Sequence, residues 1–250
     1  DYKVIMSIDQ HIESLLNCKV IDKKTIEASP YRNIGDILQT MVVSQPSANS
    51  LSANGSGVTR FDLRGIGSQR TLVLLNGRRL VNHPGTQSEN FVPVTTVNTN
   101  TLPVSGLRSL EVLRDGAASQ YGSDALAGVI NFNLKDASEG GSISVKAGQY
   151  GEGDGDMTYV SGNFGLPLGA NGFVNTTFEI GSLGDTNRAV QRADAAGLVA
   201  DGYTDVPNPA MIWGRPKVDD DMKLFVNFGA DLGNNTEMYG YANSTTKKID

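Results

Sequence analysis

After Gly141 one pattern recurs, and it decides the backbone there. In SISVKAGQY, Ile143, Val145 and Ala147 alternate with Ser144 and Lys146; in DMTYVSGNFGL, Val160, Phe164 and Leu166 alternate with Tyr159, Ser161 and Asn163. GFVNTTFEI sets Val174, Phe178 and Ile180 against Asn175, Thr177 and Glu179. MKLFVNFGADL sets Met222, Leu224, Val226, Phe228, Ala230 and Leu232 against Lys223, Asn227 and Asp231. TEMYGYANS keeps the pattern weakly, because Tyr239 and Tyr241 lie opposite Met238 and Ala242. A period of two puts successive side chains on opposite faces of a strand and does not fit a helix. Such strands build either a soluble sandwich around a dry core or a membrane wall with its apolar face toward lipid. The links GEGDG, PLGAN and GNN are short, the excursion from Ser182 to Asp221 is long, and PLGAN and GNN fall on the same end. Tight turns at one end and a long loop at the other suit a membrane wall, but alternation alone leaves both architectures open.

Composition agrees with strands. The chain has 29 glycines and only 19% charged residues, with Ser, Thr and Asn filling many positions, as in strands joined by turns. A net charge of −6 lacks the basic stripe that neutralises phosphates, which argues against a nucleic-acid partner. Cys18 is the single cysteine, so neither an internal disulfide nor a thiolate metal site is expected. No segment reaches the roughly 20 apolar residues of a spanning helix. The start, DYKVIMSIDQHIESLLNC, has neither the basic and apolar regions of a secretion signal nor an initial Met, so the expectation is a cytoplasmic protein or a missing native start.

The first half mixes elements. Asp22 can cap a short helix over KKTIEA, which Pro30 ends, and in NIGDILQTM the positions Ile34, Ile37, Leu38 and Met41 fall at helical spacing behind a possible Asn33 cap. QPSANSLSANGSG reads as a loop. FDLRG, TLVLLNGRRL and LRSLEVLRDG read as strand-like runs. TLVLL is apolar throughout, as a strand covered on both faces would be, and Asn76-Gly77 is a hairpin signal that predicts pairing of Thr71–Leu75 with Arg78–Val81. Ala117–Tyr121 fits one short helical turn ended by Gly122, SDALAG a second turn, and VINFNLK alternates Ile130, Phe132 and Leu134 with Asn131, Asn133 and Lys135.

RGIGSQRTLVLLNGRRL, followed after an irregular stretch by LRSLEVLRDGAASQYGSDALAGVINFNLK, closely resembles the plug domain of TonB-dependent outer-membrane receptors, over roughly Val20 to Lys135. The resemblance implies an α+β plug domain over 20–136, followed over 137–250 by antiparallel transmembrane β-barrel strands, with a long extracellular loop at 182–221 that holds the lone Trp213. Residues 1–19 are an N-terminal segment of uncertain origin. Five strands cannot close a barrel, and a plugged lumen needs about 22, so the expectation is an N-terminal fragment of a longer receptor.

By the same resemblance, Arg64, Gly65, Gly77, Arg78, Glu111, Arg114, Tyr121, Gly122, Gly128 and Asn131 mark plug motifs and plug-to-barrel contacts, with the charges expected to form salt bridges to polar wall residues. Asp115-Gly116 stands where many members carry Gly-Pro after the arginine. Small residues at Ala117, Ala118 and Ser119 let a helical turn sit close on the sheet. Outward loops would present Asn54, Gln69, His83, Gln87, Glu89 and Asn90 to a ligand. The implied activity is uptake of a scarce ligand, an iron chelate, cobalamin or an oligosaccharide, from the outer membrane. The implied partners are the periplasmic coupling protein TonB and outer-membrane lipid. DYKVIMSI is extended-looking but does not match the family's coupling segment.

Two rivals remain at this level. An enzyme lacks residues to carry it: His11 and His83 have no companion at metal-ligand spacing, GIGSQR lacks a third glycine, and no nucleophile elbow or P-loop is present, so neither cofactor nor metal is expected. GEGDGD hints at a calcium turn but does not repeat. The second rival is a soluble or periplasmic β-rich binding module, or a receptor remnant that does not transport. The wall reading predicts that arginine is refused at Val226 and tolerated at Asn227.

Overall fold

A computed structural model describes residues 18–29, 34–39, 61–84, 87–89, 92–114, 117–211 and 214–249. Strand β1 (Cys18–Asp22) stops at Asp22, whose extended backbone and side chain cap helix α1 (Lys23–Ala28): its Oδ1 accepts from Thr25 N at 2.9 Å. Ser29, extended ahead of a proline, ends that helix. Helix α2 (Ile34–Gln39) buries Ile34, Ile37 and Leu38 at the expected spacing. Asn33, Met41 and the loop 44–57 lie outside the described residues.

The first sheet is mixed, in the order β1-β6-β7-β2-β3, with β2 Thr71–Leu75, β3 Arg78–Arg79, β6 Leu107–Leu113 and β7 Gly128–Leu134. All five residues of TLVLL are buried, because β2 lies inside the sheet and runs parallel to β7. Asn76 and Gly77 both take positive φ, 48° and 76°, the pair that a tight two-residue hairpin requires. Helix α3 (Ala117–Tyr121) ends where Gly122 turns to φ 86°, and a 3₁₀ turn over Ser123–Ala125 leads into β7. Asp115 and Gly116 lie outside the described residues. Phe132, Ile130, Val112 and Leu75 form the centre of the core.

Three expectations for this half change. FDLRG is not a strand: only Leu63 makes an isolated bridge, since Arg64 and Gly65 turn left-handed at φ 63° and 68°. The hairpin's second strand covers only Arg78–Arg79 and leaves Val81 exposed, although Leu80 N still donates to Val73 O at 3.2 Å. Within the expected loop 82–90, β4 (Gln87–Glu89) pairs antiparallel with β5 (Val92–Val94). VINFNLK does alternate, but Asn131 is buried as completely as its apolar neighbours.

The second sheet is wholly antiparallel, in the order β12-β11-β10-β9-β8, and it is not closed. Its strands are β8 Gly141–Gly148, β9 Met157–Pro167, β10 Gly172–Leu183, β11 Val218–Gly233 and β12 Thr236–Ile249. Burial is inverted relative to a soluble sandwich. Ile143, Val145, Leu166 and Leu224 are 66%, 68%, 60% and 48% exposed, whereas Asn175, Thr177, Glu179 and Lys223 are 2%, 2%, 1% and 3% exposed. A sandwich buries its apolar face, so this sheet is a wall that turns its polar face to the mixed domain.

At one end, β11 and β12 join through Asn234 and Asn235, both at positive φ, and 168–171 joins β9 to β10. At the other end, the 184–217 excursion carries helix α4 (Ala193–Ala200). It is shorter than expected because β10 reaches Leu183 and β11 begins at Val218. Trp213 lies outside the described residues. Arg188 ties this excursion to the neighbouring link: its Nη2 meets Glu152 Oε2 at 3.2 Å and Asp154 Oδ1 at 2.7 Å. Glu152 and Asp154 of GEGDGD thus share a guanidinium, which holds the Asp154 carboxyl below the usual range.

Candidate functional site

The polar face of the wall and the mixed domain meet in a set of directed contacts. Asn227 Nδ2 donates to Lys135 O at 2.9 Å, and Asn175 Nδ2 to Ala137 O at 3.2 Å, so two wall strands hold the segment that leads out of β7. Thr245 Oγ1 donates to Thr101 O at 3.3 Å, and Lys146 Nζ to Ser29 O at 2.9 Å. Glu179 Oε1 accepts from both Ser105 N (2.9 Å) and Ser105 Oγ (3.0 Å), in the 3₁₀ turn Val104–Gly106. Phe225 leaves the wall's polar pattern and enters the mixed domain's core, with its ring 5.9 Å from that of Tyr241.

Two clefts lie between the layers among the described residues. One, of about 270 Å³, lies between α1 and β8–β10 and is lined by Lys135, Lys146, Ser142, Ser144 and Ser161. The other, of about 700 Å³, opens beside the Asn76-Gly77 hairpin and is bounded by Arg108, Glu111, Asn133, Asp136 and Tyr239. Both linings mix charged and polar groups with apolar ones, Ile26 and Val104 in the first and Phe173, Phe228 and Met238 in the second.

The structure brings several expected residues together beside the larger cleft. Asn131 Oδ1 accepts from Gly77 N at 2.9 Å, and its Nδ2 donates to Glu111 Oε2 at 2.9 Å and Asn133 Oδ1 at 3.0 Å. Asn76 Oδ1 accepts from Leu134 N at 2.9 Å, so the hairpin is stapled to β7 by side chains from both elements. Glu111 spends its carboxylate inside the mixed domain instead of on a wall cation. Arg78 does meet the wall, through the ring of Tyr239, whose centroid lies 3.7 Å from the guanidinium carbon. Arg64 bonds to the carbonyl of Arg114, and Arg79, not singled out from the sequence, reaches Tyr121 O at 2.7 Å.

Of the expected ligand-facing residues, Gln69 is exposed in the turn Ser68–Arg70, and His83 is fixed by its backbone N–H to Thr96 O at 2.8 Å. Gln87 and Glu89 fall on β4 and their side chains lie outside what is described, as do Asn54 and Asn90 entirely. Sequence reasoning missed Ser105, Glu179 and Phe225 as contact residues. Glu179 had been placed on the correct face, but its partner turn sits in an irregular run without periodicity.

Burial raises the Glu111 carboxyl above the ordinary range, against the pull of its Asn131 and Asn133 hydrogen bonds. A carboxyl raised in the folded state stabilises below its unfolded pKa, and that stability is lost as pH rises through the folded value. Glu111→Gln is therefore expected to match the unsubstituted protein below about pH 4 and to protect β6 and β7 amides better at pH 7, by hydrogen exchange on full-length protein in detergent. Equal protection at both pH values would contradict the assignment.

Residues 11–129 match the TonB-dependent Receptor Plug Domain model. The chain is 30% identical over 140 residues to the probable TonB-dependent siderophore receptor PirA of Acinetobacter baumannii, an alignment spanning 53% of this chain and 18% of that protein. It is 29% identical over 168 residues to the vitamin B12 transporter BtuB of Vibrio vulnificus, over 66% of this chain and 26% of that protein. Among solved structures, the ferric enterobactin receptor PfeA of Pseudomonas aeruginosa superposes with a TM-score of 0.70 at 19% identity, covering 93% of this chain and 33% of the receptor. PirA of Acinetobacter baumannii gives 0.66 at 20% identity, covering 98% and 34%. The chain therefore spans about a third of the solved receptors and less of the curated relatives.

Proposed function

We propose that the protein, whose residues 11–129 match the TonB-dependent Receptor Plug Domain model, is the plug and first wall strands of an outer-membrane active transporter. The observation that carries the reading is the inverted burial of the wall, with lipid-ready apolar residues outward and the plug hydrogen-bonded to the polar face. The plug runs over 20–136 and the wall over 137–250, with the boundary at Asp136 between β7 and β8. The open edges of β8 and β12 call for further strands, because a spanning sheet needs every backbone group paired. The excursion over 184–217 is extracellular, and the turns 168–171 and 234–235 face the periplasm.

The ligand is a scarce nutrient of the siderophore-iron, cobalamin or oligosaccharide class. The relatives' names favour the first two. Arg78, Glu111 and Asn131 order the plug, while Gln69 and His83 stand on its ligand-facing loops. Energy comes from TonB in the periplasm, through strand addition to an extended segment of the receptor. A soluble binding module is disfavoured, since the exposed apolar stripes of β8, β9 and β11 would meet water.

The test is uptake of radiolabelled ferric enterobactin and of cobalamin by cells lacking their own receptors for each and expressing the full-length protein. Uptake of either that disappears when TonB is deleted supports the reading. A protein that fractionates as soluble, with no uptake, overturns it.

A further inference from the structure

On the wall's polar face, Glu179 and Lys223 stand directly opposite one another across β10 and β11. Lys223 Nζ donates to Glu179 Oε2 at 3.2 Å, and the two side chains are 1–2% exposed. The Val104–Gly106 turn of the plug covers them. Ser105 aims both its backbone N–H and its hydroxyl at Glu179 Oε1, and Gly106 lies so close that a Cβ there would stand 2.9 Å from Thr177 Oγ1. Two residues along β11, Phe225 joins the buried core cluster that also holds Leu102 and Val104. Thr177, Glu179, Lys223 and Phe225 thus form one socket on adjacent strands, fitted to one turn of the plug.

Resting on the receptor reading above, we infer that this socket is the anchor that sets the plug's resting position, that Glu179 is its anchoring residue, and that it is built to release. Both members of the ion pair belong to the wall. When the turn lifts away, Glu179 and Lys223 remain paired and regain water, and this socket gives up the two Ser105 donors, the Gly106 contact with Thr177 and the apolar burial of Phe225. A salt bridge divided between plug and wall would instead leave a charge stranded on each side, a far costlier separation. The socket fixes where the plug sits, and the pair's desolvation offsets part of what holding it there contributes.

The experiment uses full-length receptor in the outer membrane and reads passive entry of vancomycin, a hydrophilic antibiotic too large for general porins, at matched receptor amount. Glu179→Ala is expected to raise entry about fivefold or more, because truncating one partner of a buried charged hydrogen bond mainly speeds release. Glu179→Gln keeps an acceptor for Ser105 and is expected to stay within about twofold of the unsubstituted receptor. Gly106→Val crowds the turn against Thr177 without substituting any wall residue, and should leak like Glu179→Ala even if the latter assembles poorly. Receptors carrying Glu179→Ala or Gly106→Val that remain tight would overturn the anchor, as would equal leakage from Ala and Gln at position 179. Absence of the unsubstituted protein from the outer membrane would instead defeat the receptor reading, which fractionation reports separately.

Discussion

Val226→Arg is expected to remove most of the receptor from the outer membrane, by at least tenfold in heat-modifiable, membrane-inserted protein. Val226 lies near the middle of β11 on the face it shares with the exposed Leu224 and Met222, between Thr176 and Ala242 on the flanking strands. An arginine at the bilayer midplane of a barrel costs about 2–4 kcal/mol, and each 1.4 kcal/mol is worth about tenfold. The sequence suggested Asn227→Arg as the harmless partner, but the structure corrects this. Asn227 is buried and donates to Lys135 O, so arginine there would push the plug linker off the wall. Ser144→Arg is the better control, since Ser144 lies on the inward face of β8 and lines an open cleft. Quantitative fractionation that finds Val226→Arg and Ser144→Arg equally depleted would reverse the assignment of faces.

Gly128→Ala should unseat the plug sheet itself. Gly128 has φ 141°, and an added Cβ would stand 2.5 Å from Leu113 O and 2.9 Å from Leu63 Cδ1. The carbonyl cannot yield easily, because Leu113 is held in β6 between Cys18 of β1 and Val129 of β7. Strain at such a backbone angle plus overpacking adds up to about 3–5 kcal/mol, a large share of what a domain of this size has. Gly122→Ala separates the two causes: its φ is 86° and ψ −170° but nothing lies within 4 Å of the new Cβ, so only the backbone strain of about 1–3 kcal/mol applies. Hydrogen exchange of β2, β6 and β7 amides should show protection lost in Gly128→Ala and largely kept in Gly122→Ala. Equal protection in both would mean that the close approach at Leu113 is not a constraint.

What could be read from the sequence is what local chemistry controls. Asp22 caps α1, Asn76-Gly77 turns the hairpin, TLVLL is buried on both faces, and the odd and even positions of β9, β10 and β11 take opposite sides as their alternation requires. The rest depends on partners distant along the chain. Strand β11 begins with Val218 and the acidic run Asp219-Asp220-Asp221, which shows no apolar alternation. QSE at β4 carries no hydrophobic signal at all, and FDLRG has the composition of a strand while Arg64 and Gly65 turn it. The pairing of Glu179 with Lys223 requires the register across the 184–217 excursion, which no count of residues supplies. Ser105 could be found only once that register had placed a carboxylate over an irregular turn.

The parallel pairing of Thr71–Leu75 with Gly128–Phe132 bears on the order in which the molecule assembles. Antiparallel neighbours such as β11 and β12, joined by two residues, can meet within about 1–10 μs, whereas a parallel pair must first close the whole intervening chain against its entropy. The wall's hairpins are therefore available before the plug's central strands have found each other. Until then the socket at Glu179 and Lys223 has no occupant. The wall is thus ready ahead of its own stopper.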